Sequence, residues 1–149
     1  MLVIDTFVFV DYLFERNDDR NKKATEFLGS IGGLTVFIPK IFLIELISVA
    51  KRLGINISKE DVEELVADFE VLSEDFVFDE AFNVAEQVHP RAADSYFIAT
   101  AKLTNSILIS SDRLMVANGR KYGVDAYYLL DELNGALEAV RKLKEEGQT

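Results

Sequence analysis

The sequence predicts an α/β fold: a three-layer α/β/α sandwich whose central sheet is mostly parallel. Short apolar runs of strand length alternate along the chain with longer segments whose apolar residues recur at helical spacing, and this alternation is typical of parallel sheets covered by helices. The chain has 149 residues, 49% of them hydrophobic, and contains no tract rich in proline, glycine or serine. A chain of this size buries roughly 70% of its unfolded surface, so we expect one domain over residues 1–149.

The first part of the chain predicts one strand and two helices. Residues 2–5 are an apolar run of strand length that ends at a single carboxylate. Apolar residues then recur at helical spacing over residues 7–14, and two consecutive aspartates begin a second helix over residues 18–28. The segment 29–33, rich in glycine, breaks the chain before the next strand.

The next three elements have clear start or stop signals. Residues 36–38 are a second strand, ended by Pro39. A helix over residues 41–53 follows and is stopped by a glycine. Residues 58–69 are predicted to be helical because a serine in the N-cap position is followed by early acids, which stabilise the start of a helix.

The rest of the chain continues the alternation of strands and helices. In chain order we expect a short strand at 71–72, helices at 74–88 and 90–104, a strand at 106–110, a helix at 112–122, a strand at 124–128 and a helix at 130–145. In a sheet of this kind, functional groups gather beyond the carboxyl ends of the strands.

The chain is acidic and carries no cysteine. Its formal net charge of −10 opposes the binding of phosphates unless the acids lie away from the binding face. The acids of residues 60–86 are predicted to form a solvated outer face. The absence of cysteine excludes disulfides and thiolate chemistry. No apolar run approaches the length of about 20 residues that spans a bilayer and the start of the chain does not resemble a signal peptide, so we expect a cytoplasmic protein without a membrane partner.

Four acids lie in positions that a solvent-exposed surface does not explain. Asp5 ends the first strand, and Asp112 follows the strand at 106–110, so both belong to the same edge of the sheet. Glu45 is surrounded by apolar residues, and Asp94 lies early in an otherwise apolar helix. Structural alternatives exist, since Asp5 or Asp112 could cap a helix and Asp94 could interact with a helix dipole.

Acids gathered at one edge of a sheet repel one another. At about 4 Å and an effective dielectric constant of 20, each like-charged pair costs on the order of 4 kcal/mol, so the cluster requires protonation or a divalent cation. Oxygen ligands without cysteine or histidine favour Mg²⁺ or Mn²⁺ over zinc. The single histidine, His89, is predicted to be a loop residue, and a catalytic triad has no support.

Three stretches carry a resemblance to a known family. The segments VIDTFVFVDYL, IFLIELISVA and AADSYFIATAKLTNSILISSDRL, in this order, resemble the PIN-domain ribonuclease family, and most closely its VapC-like toxin branch. The resemblance covers the chain from residue 3 to about residue 128. It implies a PIN-like fold in which Asp5, Glu45, Asp94 and Asp112 are the catalytic and metal-binding residues.

The same resemblance implies a function and partners. The resemblance implies that the protein is an endoribonuclease that cleaves RNA with Mg²⁺ or Mn²⁺ and acts as the toxin of a toxin–antitoxin pair. It further implies a homodimer and a small antitoxin protein as a partner. Basic residues that adjoin the motifs are candidate contacts to the RNA backbone: Lys40, Arg91 and Arg113.

Three side chains are expected to support the acids, and two of them depart from the family pattern. The family usually carries Asn, Ser or Thr where this chain has Phe7, and a threonine where it has Ser110. Ser110 and Thr6 provide hydroxyls, whereas Phe7 provides no polar group. Phe7 either packs inward as the first apolar residue of its helix or fills the space where an Asn-like side chain would orient Asp5. We expect a weak nuclease that prefers Mn²⁺.

Other functions agree less well with the pattern. A haloacid-dehalogenase-like phosphatase needs a second aspartate at the position of Phe7, and a phosphoacceptor receiver domain needs an aspartate at the end of a middle strand, which residues 36–39 lack. A PIN-fold scaffold that binds RNA or protein, with weak or no nuclease activity, stays open. Phe7 and the net charge of −10 favour the scaffold. The four acids favour the nuclease, because an inactive site gains nothing from their repulsion.

Overall fold

The computed structural model of the chain describes residues 1–15 and 18–147, and these residues form five strands and eight helices. The strands are β1 (Leu2–Ile4), β2 (Val36–Pro39), β3 (Glu70–Leu72), β4 (Ile107–Ser110) and β5 (Ala126–Tyr128). The helices are α1 (Thr6–Leu13), α2 (Asp18–Ser30), α3 (Ile41–Arg52), α4 (Lys59–Leu65), α5 (Glu74–Val88), α6 (Ala92–Thr104), α7 (Arg113–Lys121) and α8 (Leu129–Glu146). Residues 16–17 and 148–149 of the predicted domain lie outside the described part. Within that part, every helix is too short or too polar to cross a membrane.

The five strands form one sheet in the order β3-β2-β1-β4-β5, and each of its pairings is parallel. The central strand is β1, in which Val3 lies opposite Phe37 of β2 and Leu108 of β4. All of β1 is buried, which is why its sequence is a continuous apolar run instead of an alternating one. The residue that follows β1 therefore emerges between the carboxyl ends of two neighbouring strands.

Helices cover both faces of the sheet and confirm the predicted fold class. Helix α6 packs against β1, β2 and β4 with α5 and α7 beside it, whereas α1 packs on α2 and α3, and α8 lies on α2 and β5. The largest fully buried side chains include Phe27, Phe42 and Phe97. Phe9 of α1 meets the ring of Phe42 of α3 edge-on, with 5.3 Å between the ring centroids. The hydrophobic core thus extends between the helical layers and the sheet.

The fourth helix begins where the sequence predicts but ends earlier. Ser58 forms a capping box with Asp61, since each side chain accepts a hydrogen bond from the other's backbone N–H, at 3.1 and 2.9 Å. The prediction that this helix continues to residue 69 is wrong, because α4 ends at Leu65. The residues beyond it turn the chain toward β3, and Phe69 packs edge-on against Phe9 with 5.7 Å between the ring centroids. The early end of α4 is thus accompanied by a tertiary contact of Phe69 that the local sequence pattern does not encode.

Candidate active site

The four acids singled out in the sequence come together at the carboxyl edge of the sheet, where Asp5 interacts electrostatically with the other three. Asp5 follows β1 directly, and Asp112 lies two residues beyond β4. Glu45 lies on α3, the helix that follows β2, and Asp94 lies in the first turn of α6. Because β2, β1 and β4 are adjacent and parallel, the topology brings these elements to one place.

Asp5 is the most enclosed of the four acids, with 1% of its surface exposed. Its Oδ2 accepts a hydrogen bond of 2.8 Å from the Ser110 hydroxyl, which in turn accepts one of 2.9 Å from the Asp112 backbone N–H. Burial raises the pKa of Asp5 to about 8; the Ser110 hydrogen bond opposes this, and the charges of Glu45, Asp94 and Asp112 add to it. Asp5 therefore carries a proton at neutral pH in the absence of a cation. It occupies the N-cap position of α1, but the alternative that its side chain caps this helix is not realised within the described residues.

Glu45 is half-buried and is held by the hydroxyl of Thr6. The Thr6 Oγ1 donates a hydrogen bond of 2.9 Å to Glu45 Oε1 across 39 positions of sequence, and Thr6 itself is completely buried. Burial raises the pKa of Glu45, the Thr6 hydrogen bond lowers it, and the nearby charge of Asp94 raises it further. The first residue of α1 thus orients an acid of α3 toward the same edge of the sheet as Asp5.

Asp94 and Asp112 share one guanidinium. Arg91, the N-cap residue of α6, donates from Nε and from its terminal nitrogen to Asp94 Oδ2 at 3.1 and 3.0 Å, and the same terminal nitrogen contacts Asp112 Oδ2. Burial raises the pKa of Asp94, and Arg91 partly offsets this. Asp112 also caps α7, because its Oδ1 accepts from the N–H groups of Leu114 and Met115 at 2.9 and 3.3 Å. The alternative of a helix cap is therefore correct for Asp112, and Oδ2 is the oxygen that remains directed at the site.

The four acids are suitable ligands for a hard divalent cation, because their carboxylates provide oxygen donors and negative charge. All four are carboxylates, and burial, together with the charges of neighbouring acids, raises the pKa values of Asp5, Glu45 and Asp94. With the side chains as they stand, no group of three acids in the described part of the chain is arranged closely enough to hold a metal ion. The positive charge between Asp94 and Asp112 is instead the guanidinium of Arg91. The four carboxylates are suitable ligands for a divalent cation, and the cationic group beside two of them in this structure is the guanidinium of Arg91.

The remaining residues predicted for the site lie around it with different contacts. Phe7 is partly buried and packs against the hydrophobic core, as in the first of its two interpretations. Lys40 is exposed beside a groove between α3 and α4. Arg113 lies over the ring of Tyr128, 4.9 Å from its centroid, and forms a 3.1 Å ion pair with Asp131. A role of Lys40 and Arg113 in binding RNA stays a prediction.

Sequence reasoning missed several buried polar residues, among them Asp11, Ser95 and Ser111. Asp11, 3% exposed, accepts two hydrogen bonds of 3.1 Å from the guanidinium of Arg20. Its apolar neighbours, the same signal that drew attention to Glu45, could have revealed it. Ser95 and Ser111, each next to a site acid, have buried hydroxyls without a hydrogen-bond partner in the described structure. No pattern in the sequence distinguishes these two serines from exposed ones.

Carboxylates gathered at the carboxyl edge of a parallel α/β sheet supply the oxygen donors that hard divalent cations such as Mg²⁺ prefer. The model of the PIN domain family matches residues 2–121 of the chain. The chain therefore belongs to the PIN domain family, as the sequence resemblance indicated, and PIN domains are generally nucleases. No curated protein is significantly similar to it in sequence.

Solved structures share its fold at low sequence identity. They include a toxin–antitoxin complex from Klebsiella pneumoniae, FitAB bound to an IR36 DNA fragment, and FitAcB from Neisseria gonorrhoeae. Their TM-scores are 0.60, 0.62 and 0.58, with 17%, 19% and 17% identity. The alignments cover 75%, 85% and 85% of this chain and 87%, 94% and 96% of the other chains, respectively. At this identity the similarity shows the fold alone.

Proposed function

We propose that the chain is an endoribonuclease that cleaves phosphodiester bonds of RNA with Mg²⁺ or Mn²⁺. The observation that carries the proposal is the convergence of Asp5, Glu45, Asp94 and Asp112 at one edge of the sheet, where burial and, to a smaller extent, the charges of the other three acids raise the pKa of Asp5. A bound divalent cation would supply a Lewis acid for the scissile phosphate and would acidify water. It would also reverse the local sign of charge, so that an acidic site can accept RNA.

The residues behind the acids fix the oxygens that would hold the cation. The Thr6 hydroxyl holds Glu45, and the Ser110 hydroxyl joins the Asp5 carboxylate to the backbone of Asp112. Both hydroxyls are completely buried, so their positions are determined by packing. Such residues typically change metal affinity or activity by about 10–100-fold when they are lost.

A first experiment separates metal binding from catalysis. Mn²⁺ should raise the melting temperature, since a ligand that binds only the folded state adds about 2.7 kcal/mol of stability at 100 times its Kd. Glu45→Gln should lose most of this shift and most of the cleavage of a single-stranded RNA. Glu138→Gln, a matched change of an acid on α8, should keep both.

The scaffold alternative makes the opposite prediction in the same experiment. If the folded wild type neither gains stability with millimolar Mn²⁺ nor cleaves RNA, while it still binds RNA, the nuclease proposal is wrong. A stability gain without cleavage would support the metal site and contradict cleavage of this RNA.

The proposal extends to the toxin of a toxin–antitoxin pair, acting in the cytoplasm as a homodimer with a small antitoxin. The toxin–antitoxin complex among the similar structures supports this extension. So does a groove of about 390 Å³ between α3 and α4, in which Ile44 is 62% exposed. Four apolar residues (Leu43, Ile44, Ile47 and Val62) and four charged ones (Lys40, Lys59, Glu63 and Glu74) line it. Co-expression of the chain with the product of the adjacent gene tests the partner: a stable complex that inhibits cleavage, and that Ile44→Glu disrupts, is the expected result. Sedimentation of the isolated chain tests the dimer.

A further inference from the structure

We propose that Arg91 is an internal counter-ion of the site: its guanidinium contacts two of the carboxylates that would hold the divalent cation, and it must move out when that cation binds. This inference rests on the proposed function, because it requires a cation site at these acids. The observations that carry it are the contacts of one guanidinium with Asp94 Oδ2 and Asp112 Oδ2, which lie on two separate helices. A cation that used the same two oxygens could not coexist with this guanidinium.

Of the groups in this contact, the arginine is the one that is free to move. The Arg91 side chain is 57% exposed, whereas those of Asp94 and Asp112 are 7% and 21% exposed. Asp112 is also fixed by the two hydrogen bonds through which it caps α7. The carboxylates are therefore preorganised, and the guanidinium, which belongs to the most exposed of the three side chains, is the group that can be displaced into solvent.

The exchange of the guanidinium for a cation affects both the metal-free and the metal-bound protein. Without a cation, Arg91 reduces the repulsion between Asp94 and Asp112 and so stabilises the fold. With a cation, the displaced guanidinium stays tethered to the N-terminus of α6, at the rim of the site. An arginine there can bind a phosphate oxygen in the bidentate geometry that guanidinium groups favour. Arg91 is thus a positioning residue for RNA in the loaded state.

The test is the variant Arg91→Met, which keeps the length of the side chain and removes its charge. We expect Mn²⁺ affinity, measured by calorimetry, to rise by roughly tenfold or more, in the range usual for residues that contact metal ligands. The metal-free melting temperature should fall, and saturating Mn²⁺ should close the difference from wild type. The KM for RNA should rise more than kcat falls. Arg141→Met is the matched control, because Arg141 also contacts two carboxylates, Glu138 and Glu145, and all three residues are exposed on α8. This variant should leave Mn²⁺ affinity unchanged.

Each result distinguishes this inference from the proposed function. Equal Mn²⁺ affinity in wild type and Arg91→Met would overturn the inference and leave the metal-dependent nuclease standing. Weaker binding by Arg91→Met would also overturn it, since the arginine would then assist the cation. Binding by Arg91→Met alone would support it and show that the guanidinium blocks the site. If neither protein bound Mn²⁺, both proposals would be wrong.

Discussion

Asp5 is a carboxyl group that the fold encloses among three other acids, and its burial should make the metal-free protein sensitive to pH. The pKa of Asp5 is raised to about 8 in the folded state, whereas in the unfolded chain it is close to the ordinary value of about 3.9. The folded state therefore holds the proton more tightly than the unfolded chain does. The stability that protonated Asp5 contributes is fully present below about pH 4 and is lost as the pH rises toward 8. We expect the free energy of unfolding to fall by at most about 1.4 kcal/mol per pH unit in this window.

Chemical denaturation in EDTA at several pH values measures this slope. Asp5→Asn removes the titrating group and keeps its shape, so its stability should depend much less on pH between 4 and 8. Equal slopes in wild type and variant would show that Asp5 is already ionised when folded.

Phe7 lies beside Thr6 at the start of α1, where the family usually has a small polar residue. Its ring is partly buried against the core, so Phe7→Asn should lower the free energy of unfolding, by about 1–2 kcal/mol for a half-buried ring. We also expect the asparagine to tighten Mn²⁺ binding and to raise the cleavage rate, because it supplies the polar group that could orient Asp5. Calorimetry and cleavage of a fluorogenic RNA measure these effects. A loss of stability with unchanged affinity and rate would assign Phe7 to the core alone.

At the scale of the secondary structure elements, one residue joins the site to a helix. Asp112 caps α7 through Oδ1 and is directed at the site through Oδ2. Asparagine is as good an N-cap as aspartate, whereas alanine costs about 1 kcal/mol. Asp112→Asn and Asp112→Ala should therefore both lose Mn²⁺ binding, but only the alanine variant should lose the cap. Thermal denaturation without metal compares them, and equal stability would mean that the cap contributes nothing.

The elements also show how far the sequence could predict the fold and the site. Asp5 and Asp112 were predictable because buried strands are continuous apolar runs, and the end of such a run marks the edge of the sheet. The early end of α4 could not be predicted from local patterns, because it accompanies a contact of Phe69 with the ring of Phe9, 60 positions away in the sequence. The contact of Arg91 with Asp112 was also hidden, since it joins the starts of two helices 21 positions apart and depends on side-chain torsions. Local patterns encode the elements, whereas the charge partners of the site arise from tertiary packing.

At the scale of the whole molecule, a net charge of −10 must be reconciled with binding of RNA. Acids of the segment 60–86 account for much of this charge, and among them Glu63 and Glu64 are exposed on α4. Glu63 forms an exposed 3.5 Å ion pair with Lys59, and both line the groove beside Lys40. The lining of the groove thus combines apolar side chains with acidic and basic ones.

We expect the double substitution Glu63→Gln and Glu64→Gln to change RNA cleavage only slightly, because these acids belong to the solvated outer face. The physical reason is screening: at about 0.15 M salt, interactions between exposed charges more than about 8 Å apart are largely lost. The measurement is kcat/KM for a single-stranded RNA at low and high salt, with Glu138→Gln as a control for a change of net charge on α8. A large gain at low salt that vanishes at high salt, and that Glu138→Gln does not reproduce, would show that Glu63 and Glu64 line the path of the RNA. In that case the groove between α3 and α4 would be part of the substrate surface and could not be reserved for a protein partner.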